Sequence, residues 1–179
     1  MSEYYTLQVA GLTRELPICP VNEHLDIASF VMFSDVELTV AAATELIKKV
    51  PACDVVVTAE SKGIPLAYEM ARQLGIKYIV ARKSIKLYMR SPIEVEVQSI
   101  TTAKKQHLYL DAVDMDWLKG KRVLIADDVI STGESLAAVE KLIDAAQGVI
   151  VGKCAVLAEG DAANRDDIFF LEKLPLFFR

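Results

Sequence analysis

Two adjacent carboxylates, Asp127 and Asp128, end an apolar run, and Ser131, Thr132, Gly133, Glu134 and Ser135 follow within a few residues. These residue types suit different parts of one ligand. A hydroxyl-rich loop that opens a helix offers free backbone N–H groups and the positive end of the helix dipole to a phosphate. Gly133 lets that backbone approach closely because it has no Cβ. Asp127 and Asp128 would repel a phosphate placed on them. They suit ribose hydroxyls, which donate hydrogen bonds, or magnesium, which takes oxygen ligands. The segment 125–135 therefore asks for a ligand with a phosphate, a diol and a metal, and a sugar phosphate fits. Neither GxxxxGK[ST] nor GxGxxG occurs, which separates the segment from the Walker loop and the dinucleotide fingerprint. A capped helix beside a solvated strand end is the plainer alternative. It accounts for the acids but not for the Ser-Thr-Gly-x-Ser pattern after them.

Several elements must position this segment. Residues 122–126 (RVLIA) form an apolar strand, and a helix from about Leu136 puts Val139, Leu142 and Ile143 on one face. Residues 149–157 make another buried strand. Upstream, 54–59 (DVVVTA) is a β-branched strand of the kind covered on both faces. The turn Glu60-Ser61-Lys62-Gly63 leads from it into a helix with Pro65 in its first turn and Gly75 just past its end. Residues 78–81 form the next strand. Ser34 with Glu37 forms a capping box for a helix bearing Leu38, Ala42, Leu46 and Val50, which Pro51 stops. Strands alternating with helices predict an α/β fold: an open, mostly parallel twisted sheet flanked by helices. Ligands in such sheets bind beyond the carboxyl ends of the strands, where 127–135 falls. Residues 1–33 read as short strands or an irregular cover. The rhythm breaks over 82–121. Residues 93–97 and 107–110 are strand-like and enclose a polar stretch, which reads as a hairpin leaving the sheet, functional or mobile.

A chain of 179 residues fits one domain, 1–179. With 53% hydrophobic and 25% charged residues it reads as compact rather than disordered. The net charge of −5 argues against nucleic acid as a partner, since that binding needs a basic surface. Lys83, Lys86, Arg90, Lys104 and Lys105 still gather in one stretch. Cys19, Cys53 and Cys154 are too widely and irregularly spaced for a zinc site. Their odd count, with no signal-peptide pattern, gives a cytoplasmic location as the expectation. No apolar run approaches the roughly 18 residues of a membrane helix, so no membrane partner is expected. His24 and His107 read as structural.

The run VLIADDVISTGES, 123–135, closely resembles the phosphoribosyl diphosphate signature of type I phosphoribosyltransferases. TAESKG, 58–63, resembles the diphosphate-binding turn of the purine members. Ala81-Arg82-Lys83 is similar to a pair in the adenine enzymes, and the order and spacing of all three agree over about 25–178. The resemblance implies transfer of a 5-phosphoribosyl group to a base nitrogen with release of diphosphate, with Mg2+ as cofactor and a homodimer as the family habit. It implies that Asp127 and Asp128 hold the ribose hydroxyls, with magnesium bound directly or through water and ribose. Ser131, Thr132, Gly133, Glu134 and Ser135 would cradle the 5′-phosphate, Glu134 through its backbone. Ser61, Lys62, Gly63, Arg82 and Lys83 would lie against the diphosphate. The excursion 84–106 matches the position of the family's mobile hood, where Lys86, Tyr88, Arg90 and Lys104 are weaker candidates.

Two departures bear on the base. The adenine enzymes carry a glutamate in the hood strand, whereas the corresponding stretch here is Ser99-Ile100-Thr101-Thr102-Ala103-Lys104. The hypoxanthine–guanine enzymes place an aspartate where this chain has Ser131. The xanthine enzymes share an Ala-Arg-Lys start to the hood. Orotate enzymes share a loop like DVISTG but not the rest. The resulting order is an adenine-like purine transferase first, xanthine or another 6-oxopurine second and orotate third. A non-catalytic sensor of phosphoribosyl diphosphate is the alternative from another class.

Overall fold

The computed structural model describes residues 3–98 and 105–179. Its centre is a five-stranded parallel sheet. The strands are β4 (Val55–Ala59), β5 (Lys77–Ala81), β8 (Arg122–Ile130), β9 (Val149–Glu159) and β10 (Phe169–Leu174), in the order β10-β9-β8-β4-β5. Successive residues of β4 feed opposite cores. Val55 and Val57 face one, Val56 the other, and all three are fully buried. Burial of each contributes roughly 1.5–3 kcal/mol. The continuous β-branched run is therefore what a strand covered on both faces requires.

Helices α1 (Val36–Ile47) and α2 (Ile64–Leu74) cover one face, and α4 (Glu134–Ala145) covers the other. Pro65 and Gly75 mark the two ends of α2 as expected, with Gly75 at φ 67°. The cap of α1 differs from expectation. Asp35, not Ser34, is the N-cap, and its carboxylate accepts from the Leu38 amide at 3.0 Å. Ser34 instead turns the chain at φ 69°. Asp35 also accepts from Arg14, which draws the cap one residue later than the local pattern suggests.

Residues near both ends of the chain join in a second sheet. Strands β1 (Tyr4–Val9), β2 (Leu12–Asn22), β3 (Leu25–Ala28) and β11 (Leu176–Phe178) lie in the order β1-β2-β3-β11. The expected cover is thus a regular antiparallel sheet, closed by β11, a strand absent from the sequence reading. Arg179 clamps it by a bidentate bond to the buried Asp26.

The strands β6 (Pro92–Gln98) and β7 (Lys105–Asp111) pair antiparallel, as the alternation predicts. They do not simply leave the sheet. Arg82 and Tyr109 exchange backbone hydrogen bonds at the end of β5, and Leu108 and Leu110 are buried in the core that includes Leu136 and Val139 of α4. A helix absent from the sequence reading, α3 (Ala112–Leu118), returns the chain to β8. It carries Trp117, with the ammonium groups of Lys77 and Lys121 at 4.7 and 5.1 Å from the ring. Among the described residues no helix is long and apolar enough to cross a membrane.

The Arg14–Asp35 pair gives a pH-dependent test. Arg14 holds the Asp35 carboxyl below its ordinary range. A depressed folded-state pKa contributes stability that is present above about pH 3.8 and lost as pH falls through the folded value. In urea denaturation at neutral pH, Asp35→Ala should cost about 1 kcal/mol, because the cap is lost. Asp35→Asn keeps a capping oxygen and should cost less. Its deficit should shrink below pH 4, and an undiminished deficit at pH 3 would contradict the charge pairing.

Candidate active site

The carboxyl ends of β4, β8 and β9 open into one cavity of about 280 Å³. Its polar wall includes Glu60, Ser61, Lys62, Lys83, Asp127, Asp128, Ser131, Ser135 and Glu159. Its roof comes from the second sheet and the chain leaving it: Ile27, Ala28, Ser29 and Phe30. Leu108 and Leu174 complete the apolar part. A smaller recess of about 40 Å³ adjoins it, formed by 129–136 with Asp127. Asp127 lines both spaces.

The two acids do not stand in a loop at an exposed strand end, as their spacing suggested. Strand β8 continues through them to Ile130, with Asp127 paired opposite Ala155 of β9. Asp128 is only 4% exposed. Its Oδ2 is, among the described residues, the one buried side-chain oxygen or nitrogen without a hydrogen-bond partner. Lys62 Nζ stands 3.6 Å from it, beyond good hydrogen-bond range. An unpartnered buried oxygen is costly, so this atom is poised for a donor or a cation from outside. Asp127 Oδ1 accepts from the Asp128 amide at 2.8 Å. Burial, and then the neighbouring Asp128 charge, push the Asp127 carboxyl above its ordinary range.

The turn after β4 fits against these acids. A Cβ on Gly63 would lie 2.5 Å from Thr58 Oγ1, 2.9 Å from Asp127 Oδ1 and 3.1 Å from Asp127 Cα, so only glycine permits this approach. The Glu60–Ser61 peptide is cis. The same turn carries a residue the sequence analysis passed over. Glu60 accepts from the Lys83 amide at 3.0 Å, from Arg82 Nε and Nη2 at 3.2 and 3.1 Å, and has Lys86 Nζ at 3.7 Å. The Lys83 amide, followed by Arg82 and Lys86, holds its carboxyl below the ordinary range.

Of the two cations expected at the diphosphate, Lys83 lines the cavity, whereas Arg82 is committed to Glu60 and to the Tyr88 hydroxyl at 3.0 Å. Lys86 donates to Ser84, and the Arg90 amide donates to Asp111. Lys86, Tyr88 and Arg90 do not line the cavity. Lys104 and the 99–104 stretch, one of the two departures that bear on the base, lie outside the described residues.

The loop after β8 enters α4 through Gly133, at φ 81° and with no side-chain cap. Ser131, Thr132, Gly133, Glu134 and Ser135 all line the small recess. An uncapped helix N-terminus around a recess lined by two serines and a threonine is a place for an anion. Sequence reasoning missed Glu159, a carboxyl raised by burial at the end of β9, and the roof residues 27–30. The strand-end rule could have found Glu159. No residue pattern marks the roof.

Among the described residues no group of three His, Cys, Asp or Glu side chains could hold a metal. The arrangement does suit magnesium that arrives with a phosphate ligand. That ion keeps waters and substrate oxygens and needs one or two carboxylates. The unpartnered Asp128 Oδ2 is such an oxygen.

Comparisons with known proteins agree with this architecture. The family model described as phosphoribosyl transferase domain matches residues 33–174. A protein of Methanococcus voltae named hypoxanthine/guanine phosphoribosyltransferase is 38% identical over 124 residues, 69% of this chain and 63% of that relative. One of the same name from Methanotorris igneus is 32% identical over 160 residues, covering 84% of this chain and 83% of the relative. The Methanococcus match spans less than two thirds of that relative's length. The adenine phosphoribosyltransferase structure from Thermoanaerobacter pseudethanolicus superposes with a TM-score of 0.71 at 19% identity, over 88% of this chain and 95% of that one. The structure from Leishmania donovani gives a TM-score of 0.68 at 20% identity, over 97% and 76%. With most of its length matched by the family model and its sheet shared with these structures, the chain belongs to the phosphoribosyl transferase domain family.

Proposed function

We propose that the protein transfers the 5-phosphoribosyl group from phosphoribosyl diphosphate to a purine base. The bond from ribose C1 to the diphosphate oxygen breaks, a bond from C1 to a base nitrogen forms, and diphosphate and a proton are released. The observation that carries this reading is the orphaned Asp128 Oδ2 beside an uncapped helix N-terminus, two demands that one sugar phosphate meets together.

The residues divide the work by charge. The amides and hydroxyls of 131–135 take the 5′-phosphate, and Asp127 and Asp128 accept from the ribose hydroxyls. As diphosphate leaves, positive character grows on the ribose, and two carboxylates beneath the ring tolerate it. Lys62, Lys83 and the backbone of Ser61 and Gly63 face the departing charge. Asp128, with Asp127, is where magnesium would be held; when bound it neutralises diphosphate charge. Arg82 acts indirectly, by fixing Glu60 and with it the diphosphate turn. Exclusion of water from the reactants matters here, because water could otherwise capture the ribosyl centre.

The apolar roof at 27–30 and Leu174 give a flat base its stacking walls, and Glu159 offers an acceptor to an N–H edge. Adenine is the first choice of base, in keeping with the Arg82-Lys83 pair. A 6-oxopurine is the second reading, favoured by the names of the methanogen relatives. A cytoplasmic homodimer completes the proposal.

Diphosphate release, measured with phosphoribosyl diphosphate against adenine, hypoxanthine, guanine, xanthine and orotate, should respond to one purine. Silence with every base, alongside binding of the donor, would favour the sensor. Magnesium with phosphoribosyl diphosphate should raise Tm, since a ligand at a hundred times its Kd stabilises by about 2.7 kcal/mol, and EDTA should reduce the gain. Asp128→Asn should cut turnover roughly a hundredfold or more. Its Tm should hold, because Oδ2 of this buried carboxylate has no hydrogen-bond partner and Lys62 stands off it at 3.6 Å. Full activity in this variant would defeat the assignment. Gly63→Ala should lower stability by roughly 1–3 kcal/mol, the range for overpacking, and lower activity as Asp127 is displaced. A neutral result would contradict the close approach.

A further inference from the structure

Directly behind the phosphate loop stands a cation that none of the motifs includes. A Cβ on Gly133 would lie 2.8 Å from Nη1 of Arg165, so the guanidinium tip packs on the glycine itself. Arg165 follows the 3-10 turn Gly160–Asn164 that leaves β9. Its other two nitrogens are committed. Nε donates to Asp167 Oδ1 at 2.8 Å and Nη2 to Oδ2 at 2.7 Å. Asp167 also accepts from Lys153 at 2.6 Å, and Lys153 donates to Glu140 of α4 at 2.8 Å. Lys153 is 16% exposed and Arg165 32%. The chain Glu140–Lys153–Asp167–Arg165 therefore ties helix α4, strand β9 and the β9–β10 connection to one residue of the loop.

Glycine visits positive and negative φ with similar ease, so φ 81° at Gly133 needs a selector. On one side Gly133 accepts the helical bond from the Ala137 amide at 2.9 Å. On the other it meets Arg165. Arg165 lines neither the large cavity nor the small recess; its contact with the site is Gly133. Its planar fork, locked on a carboxylate, is a rigid support in a way that a lysine ammonium is not.

We propose that Arg165, fixed by Asp167, is a positioning residue that holds Gly133 in the conformation presenting the loop amides to the 5′-phosphate. The proposal rests on the phosphoribosyl reading of the site. Preorganisation of this kind raises affinity by removing the cost of ordering the loop when the ligand arrives.

Ribose 5-phosphate binding by calorimetry and the KM values of both substrates test it in wild type, Arg165→Gln, Arg165→Lys and Asp167→Asn. Arg165→Gln should weaken ribose 5-phosphate binding and raise the KM for phosphoribosyl diphosphate by roughly tenfold, the scale at which a lost support of a ligand-holding group is felt. The affinity for inorganic diphosphate and the KM for the base should not move. Asp167→Asn should behave likewise, and Arg165→Lys should fall between. Unchanged ribose 5-phosphate affinity in a variant whose Tm has dropped overturns the proposal and leaves only a structural brace. Should Arg165→Gln fail to fold, the other two variants decide by the same comparison. Wild-type protein without measurable affinity for ribose 5-phosphate sinks the phosphate reading and this inference together, a result distinct from equal affinities.

Discussion

Two like charges placed side by side at the end of an apolar strand are the constraint around which this molecule is arranged. Asp127 and Asp128 emerge from Val123, Leu124, Ile125 and Ala126, all buried, and Asp128 is itself buried. In so dry a place, burial and the neighbouring Asp128 charge raise the cost of ionising Asp127. The structure answers in part. The Asp128 amide serves Asp127, and the Lys62 ammonium stands off Asp128 at 3.6 Å. One oxygen is left over. Such an arrangement is expensive in a core and sensible in a binding site, where a ligand supplies the missing donors.

The surrounding elements keep that arrangement in place. The sheet is sealed on both faces, which gives β8 a fixed register between β4 and β9. Gly63 brings the turn 60–63 against Asp127, and Glu60 gathers Arg82, the Lys83 amide and Lys86. Glu60 is an acid within the turn proposed to face diphosphate. Its charge is consumed by the cations around it, and Lys83 remains on the cavity wall. The second sheet then roofs the opening, so the site is a junction of chain regions distant in sequence.

Much of this was legible in the sequence because local chemistry carried it. The strands 54–59 and 122–126 announced themselves by unbroken apolar runs, α2 by Pro65 and Gly75, and the phosphate loop by Ser-Thr-Gly-x-Ser after two acids. Errors arose where a distant partner overrode the local pattern. Ser34 with Glu37 made a good capping box on paper, but Arg14, 21 residues before Asp35, recruits Asp35. The hairpin seemed to leave the sheet because alternation shows only that one face is apolar. That Leu108 and Leu110 bury that face beside α4 is a fact about packing. Strands β10 and β11 take their places by pairing with Cys154 to Glu159 and Leu25 to Ile27, partners that the local sequence does not name.

The sequence by itself determined the class of fold, the loop that suits a phosphate and the acids that suit a diol. Each is written in residue types within a dozen positions, where backbone geometry and chain spacing leave few choices. Only the tertiary structure decided which oxygen stays unpartnered, which cation faces the cavity and which is spent on Glu60, what forms the roof, and that Arg165 stands behind Gly133. Burial, ion pairing and close approach are properties of atoms brought together from afar, and spacing along one chain does not encode them.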